Sequence, residues 1–93
     1  MVSVLTLKSG QLLTTVNPEG LFVLSLSAEC IPADRRIYHE HMLFSKRIPI
    51  GDIFLCLEVR FYDDELNYGL KILWKENIYY AFCDLSEVMA VEQ

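Results

Sequence analysis

The chain has 93 residues, a hydrophobic fraction of 53% and a formal net charge of −5 at pH 7. A chain of this length forms one domain, 1–93, and no apolar run approaches the roughly 20 residues of a membrane-spanning helix. The negative charge disfavours general nucleic-acid binding, because a polyanion requires an extended basic surface.

The first quarter of the chain predicts strands joined by tight turns. Alternating apolar residues over 2–7 and 11–16 flank Gly10, which predicts a hairpin. Residues 17–20 predict a second turn, with Pro18 at its first central position. The apolar run over 21–26 then predicts a third strand, with apolar residues on both faces and therefore a central position in the sheet.

The segment over 27–50 differs in composition, since it contains two prolines, half of the lysines and arginines, and both histidines. Asp34 is a suitable N-cap for a short helix over 34–44. An extended conformation stays open as an alternative, because neither apolar periodicity is clean. We favour the helix, because 24 residues of irregular loop, about twice the usual limit, are uncommon in a small domain.

The second half predicts three strands and a capped turn. The strand over 53–61 carries apolar residues at every odd position, whereas its other face becomes polar along its length. Residues 69–74 and 78–83 predict a hairpin. Asp84 and Glu87 form the pattern of a capping box, which predicts one helical turn or a short final strand.

These elements define a mainly β fold. We expect a small antiparallel barrel or curled sheet of SH3-like size, with one short helix in the middle of the chain. An α+β fold is the alternative. The apolar content exceeds that of average domains, so we expect part of it at the surface, where it would form a homodimer or bind a dedicated partner.

Two histidines, His39 and His41, are the strongest candidates for metal ligands. They would share one face of an extended segment, but zinc needs about three or four protein ligands. Neither a pair of closely spaced cysteines nor a helical metalloprotease motif accompanies them. We therefore predict neither a metal nor another cofactor. A metal-binding or redox-sensing protein that uses His39, His41 and Cys30 is kept as an alternative.

The basic island over 35–47 suggests a different alternative function. It contains Arg35, Arg36, Lys46 and Arg47, which could form a weak nucleic-acid or phosphate site. The chain lacks a nucleophile elbow and a glycine-rich phosphate loop. We therefore predict that the protein is not an enzyme.

The three cysteines give an expectation about cellular location. They are an odd number with wide spacing, and two of them lie in apolar runs. The opening residues also lack the positively charged region that begins a signal peptide. We therefore expect a cytoplasmic protein with reduced cysteines.

The acidic second half predicts the partner. Residues 50–93 carry three basic residues against nine acids, which favours a protein partner with a basic surface. Tyr79 and Tyr80 are adjacent in a strand, so we expect one of them to face outward. The predicted contact surface consists of Tyr62, Asp63, Asp64, Glu65, Tyr79 and Tyr80. We expect an inhibitor or adaptor of a macromolecular partner, of the kind that phages and other mobile elements encode.

Overall fold

A computed structural model describes residues 7–25, 30–34, 36–40, 46–62 and 67–91 of the chain. The strands are β1 (Leu12–Thr15), β2 (Leu21–Leu24), β3 (Lys46–Ile48), β4 (Ile53–Tyr62), β5 (Asn67–Trp74), β6 (Asn77–Asp84) and β7 (Val88–Ala90). The helical segments are α1 (Arg36–Glu40) and a 3-10 turn over Leu85–Glu87.

The seven described strands form one curled antiparallel sheet in the order β3-β2-β6-β5-β4-β1-β7. This arrangement confirms the predicted mainly β fold with a curled sheet. The helix predicted over 34–44 is present as the five residues of α1, and residues 41–45 lie outside the described part of the chain.

The pairing of β1 differs from the predicted hairpin. Over its four residues β1 is flanked by β4 on one side and by β7 on the other. Residues 2–6 themselves lie outside the described residues, and Leu7 is buried in the core. In the described residues β1 pairs with β4 and β7, since a turn at Gly10 fixes a change of direction but does not select the neighbouring strand. The loop instead binds β4, with the Gly10 amide donating to the Cys56 carbonyl at 2.8 Å.

One face of the sheet, here called the inner face, carries the main core. Paired residues of antiparallel strands share a face, and inner pairs such as Leu13 with Phe54 and Ile72 with Tyr79 join two apolar residues. The core consists of Leu7, Leu13, Leu21, Val23, Ile48, Phe54, Cys56, Leu70, Ile72, Tyr79, Ala81, Cys83 and Val88.

A β-bulge in β4 decides which of its residues reach this core. The register shifts between Cys56 and Glu58, so one residue of β4 has no opposite partner on β5. An extra residue reverses the alternation of faces along the strand. Phe54 and Cys56 therefore lie on the inner face before the bulge and Val59 lies there after it, whereas Ile53 lies on the opposite face.

The opposite face, here called the outer face, is covered in part by residues 30–40. The ring of Tyr38 on α1 stacks on Phe82 of β6 with centroids 5.3 Å apart, and Tyr62 meets Phe82 edge-on at 5.8 Å. The Tyr62 hydroxyl donates a hydrogen bond to the Pro32 carbonyl. We call this group the outer aromatic cluster, and it consists of Leu24, Ile31, Tyr38, Tyr62, Tyr80 and Phe82.

The end of β6 confirms the predicted capping box. The Asp84 side chain accepts from the backbone amide of Ser86 at 2.7 Å, and the Glu87 carboxylate accepts from the Asp84 amide at 3.0 Å. Both of the expected elements follow, since a 3-10 turn leads directly into β7. The capped turn thus places β7 beside β1, where it extends the sheet.

The hairpin of β5 and β6 turns through Lys75 and Glu76, which have φ angles of 50° and 66°. Residues with a side chain disfavour this left-handed region by about 1–2 kcal/mol each. We expect the double substitution Lys75→Asn, Glu76→Gly to raise the free energy of unfolding by about 1 kcal/mol, because Asn-Gly suits such a turn.

Urea denaturation measures this change, with Glu76→Ala as the matched control. Alanine keeps a Cβ in the left-handed region, so the control should leave the free energy of unfolding nearly unchanged. A double variant no more stable than this control would contradict the prediction.

Candidate interaction surface

An apolar strip crosses the part of the outer face that residues 30–40 leave uncovered. The register places Leu12 of β1 opposite Leu55 of β4, Leu55 opposite Leu73 of β5, and Leu73 opposite Ile78 of β6. Opposite residues in antiparallel strands have Cβ atoms about 4.5–5.5 Å apart. The four side chains therefore form a continuous row across four neighbouring strands.

Two further apolar side chains extend this row. Thr14 of β1 lies opposite Ile53 on one side and opposite Met89 of β7 on the other. We call the whole group the outer apolar patch, and it consists of Leu12, Ile53, Leu55, Leu73, Ile78 and Met89.

Four of the six side chains of the outer apolar patch are exposed to solvent, and Leu12 and Leu55 are half-buried. The exposed fractions are 52% for Ile53, 50% for Met89, 48% for Ile78 and 37% for Leu73. Scattered exposed apolar residues are normal on a protein surface, but a contiguous patch indicates a binding site. The patch therefore holds four of the eight large apolar side chains that are exposed in the described residues.

Charged residues border the patch at the middle of β4 and β5. Glu58 and Lys71 lie opposite each other on the outer face, and Lys71 in turn lies opposite Tyr80. Tyr80 already belongs to the outer aromatic cluster. The outer face thus has a covered aromatic part and an open aliphatic part, with an acid and a base between them.

The three tyrosines of the predicted contact surface are buried within the chain. Their exposed fractions are 7% for Tyr62, 5% for Tyr79 and 1% for Tyr80. Tyr79 and Tyr80 do point to opposite faces, but the expectation that one of them faces outward is wrong. Tyr79 packs in the main core, and residues 30–40 cover Tyr80 on the outer face.

The acidic part of the predicted contact surface, Asp63, Asp64 and Glu65, lies outside the described residues. Tyr62 immediately precedes these acids at the end of β4, and its ring contacts the guanidinium of Arg60 at 6.0 Å. Desolvation by burial raises the pKa of the Tyr62 hydroxyl, although the Tyr38 hydroxyl and Arg60 act in the opposite direction. A role for all six residues in partner contact stays a prediction.

The histidine pair is described only in part. His39 lies on α1 with an exposed side chain, and its ring meets Phe82 at 6.2 Å, whereas His41 falls outside the described residues. Within the described part of the chain, no group of three potential ligands from His, Cys, Asp and Glu is placed to hold a metal ion. Metal binding by the pair stays an alternative hypothesis.

The described basic residues of the island each contact another side chain. Arg36 forms an ion pair with Asp34 at 2.7 Å. Arg47 lies over the ring of Phe22 at 4.7 Å, and Lys46 lies over Tyr79 at 5.7 Å. Arg35 lies outside the described residues. Arg47 and Lys46 therefore lie against aromatic rings, whereas Arg36 forms its ion pair at an exposed position.

The cysteines occupy two different environments. Cys30 is exposed, whereas Cys56 and Cys83 are buried in the main core. Desolvation raises the pKa of the Cys56 thiol to about 11, and burial also raises the pKa of Cys83. Both buried thiols are therefore protonated at neutral pH and are poor nucleophiles.

The sequence does not predict the position of the outer apolar patch. The alternation along residues 53–61 indicated one apolar face for the whole strand, but the bulge places Ile53 and Leu55 on the outer face instead. The excess of apolar residues in the sequence indicates that some of them lie at the surface, but it does not show where on the surface they lie. Locating the patch requires the registers of four strand pairs.

Comparisons with protein-family models, with curated proteins and with solved structures returned no significant match. In the described part of the chain, no helix has the length and apolar character needed to cross a membrane. The function is therefore inferred from the surface of the chain itself.

Proposed function

We propose that this chain is a small, acidic, non-catalytic interaction protein of the cytoplasm, which acts as an inhibitor or adaptor by binding another protein. The observation that carries the proposal is the outer apolar patch, which crosses the strands as a continuous row and remains open to solvent. An exposed sheet face of this kind is typical of a protein interface.

The charge of the chain supports a basic surface on the partner. The net charge is −5, and the second half of the sequence holds nine of the 13 acids. An acidic protein meets a basic partner faster than a neutral one, and added salt reduces this rate. The patch would supply the affinity, while the net negative charge of the chain would accelerate the encounter.

Site-specific photocrosslinking tests the patch as the binding surface. A benzophenone amino acid at position 73 should give one discrete adduct in cells that express the protein, because Leu73 lies in the middle of the patch. The same group at position 19, in the exposed turn before β2, should give none. Mass spectrometry identifies the captured protein.

A second substitution establishes that the adduct depends on the patch. Ile78→Asp places a charge beside position 73 and should abolish the adduct, since a charge is strongly disfavoured in a buried apolar contact. Unmodified purified chain should compete for the same partner. Equal labelling from positions 19 and 73, or an adduct that survives Ile78→Asp, would contradict the proposal.

A further inference from the structure

The outer apolar patch is complementary to a second copy of itself. The row of four runs Leu12, Leu55, Leu73, Ile78 across β1, β4, β5 and β6, so its centre lies between β4 and β5. Consider a two-fold axis that lies between two copies, parallel to the strands and over this centre. It would place β4 of one copy over β5 of the other, and β1 of one copy over β6 of the other. Leu55 would then face Leu73 of the copy, and Leu12 would face Ile78 of the copy.

The same axis also matches charges. Glu58 and Lys71 lie opposite each other on β4 and β5, and so they are related to the axis in the same way as Leu55 and Leu73. Glu58 of each copy would face Lys71 of the other. A face that pairs apolar with apolar and acid with base under one rotation has the property of a symmetric dimer interface.

We propose that the outer apolar patch forms a two-fold symmetric dimer in which the outer faces of two copies pack against each other. This inference rests on the proposed function, because it gives the same binding patch a second occupant, a copy of this chain, which the different protein partner would displace. The two sheets would meet at the patch, and residues 30–40 of each copy would lie beyond the charged pair, on the part of the outer face that they already cover.

The size of the patch sets the expected affinity. Standard interfaces bury about 800 Å² on each partner, more than six partly exposed side chains provide. The net charge of −5 on each chain also opposes association, although the acid and base beside the patch balance locally. We expect a reversible dimer with a dissociation constant of about 1–100 μM.

Sedimentation velocity of the purified full chain over a range of concentrations measures this equilibrium. Leu73→Lys should weaken the dimer by at least about a hundredfold, because it buries two unpaired charges at the centre of the interface. Ile78→Lys provides a second variant at the neighbouring position. Circular dichroism establishes that each variant keeps its fold, as expected for residues on an exposed face.

A charge-exchange experiment tests the position of the axis. Glu58→Lys leaves two bases on each chain at this site, and Lys71→Glu leaves two acids. Each variant alone should dimerise about tenfold more weakly than the unmodified chain, because like charges would face each other. An equimolar mixture should form a heterodimer of nearly full affinity, which native mass spectrometry resolves from the two homodimers.

Four outcomes decide the question. Loss of the dimer in Leu73→Lys together with a restored heterodimer supports the proposal. Three results overturn it: a monomer at all concentrations, a dimer that persists in Leu73→Lys, or a mixture without a preferred heterodimer.

If the chain is monomeric and the crosslink at position 73 still captures a different protein, the dimer fails while the proposed function stands. If neither association occurs, both fail.

Discussion

Replacing Gly20 by alanine is expected to lower the free energy of unfolding by about 3 kcal/mol and the melting temperature by roughly 15 °C. Gly20 has a φ of 84°, and a Cβ at this position would lie 2.5 Å from the Ile48 carbonyl oxygen and 2.6 Å from Arg47 Cγ. The carbonyl belongs to the backbone of β3, which pairs with β2, so relief of the contact would disturb the pairing.

Gly10→Ala is the matched control for this substitution. Gly10 has a similar φ of 87°, but a Cβ there would meet no atom within 4 Å. The control should therefore lower the free energy of unfolding by only about 1–2 kcal/mol, which is the cost of placing a residue with a Cβ in the left-handed region. Thermal and urea denaturation of both variants measure the difference. Equal losses at the two positions would show that β3 does not approach Gly20 as closely as described.

The predictable elements of this fold are those set by neighbours in the sequence. The hairpin of β5 and β6 follows from alternating residues around a two-residue turn, and the capping box at Asp84 follows from a four-residue pattern. The pairing of β1 with β7 joins Leu13 to Ala90, across almost the whole chain. Two strands of three and four residues have no periodicity that selects such a distant partner.

The candidate surface was harder to predict than the fold, because burial depends on contacts between distant segments. Tyr79 and Tyr80 lie on opposite faces of the sheet, as their adjacent positions in a strand predict. Tyr80 is nevertheless buried, because α1 and residues 30–34 pack on the outer face. The bulge after Cys56 similarly reassigns the faces of β4. No local pattern shows which part of the outer face is covered and which part is left open.

Gly69 determines how residues 30–40 cover the outer face, and replacing it by alanine is expected to lower the free energy of unfolding by about 2 kcal/mol. The added Cβ would lie 2.7 Å from Cγ2 of Ile31, 2.8 Å from the Tyr62 hydroxyl oxygen and 2.9 Å from the Tyr38 hydroxyl oxygen. These atoms are packed within the outer aromatic cluster, so the segment must move outward. Urea denaturation measures the loss, and hydrogen exchange of the α1 amides reports the movement.

A double-mutant cycle with Tyr38→Phe separates this contact from a general effect on β5. Removing the Tyr38 hydroxyl relieves one of the three close contacts of the added Cβ. The double variant should therefore lose at least about 0.5 kcal/mol less unfolding free energy than the sum of the two single losses. An additive cycle, or unchanged exchange of the α1 amides, would contradict the role given to Gly69.

Outward movement of α1 would also uncover Phe82 and so enlarge the apolar area beside the patch. Gly69→Ala should therefore increase the binding of a hydrophobic dye while the sheet remains folded, since the covering segment is what limits the exposed apolar area on this face.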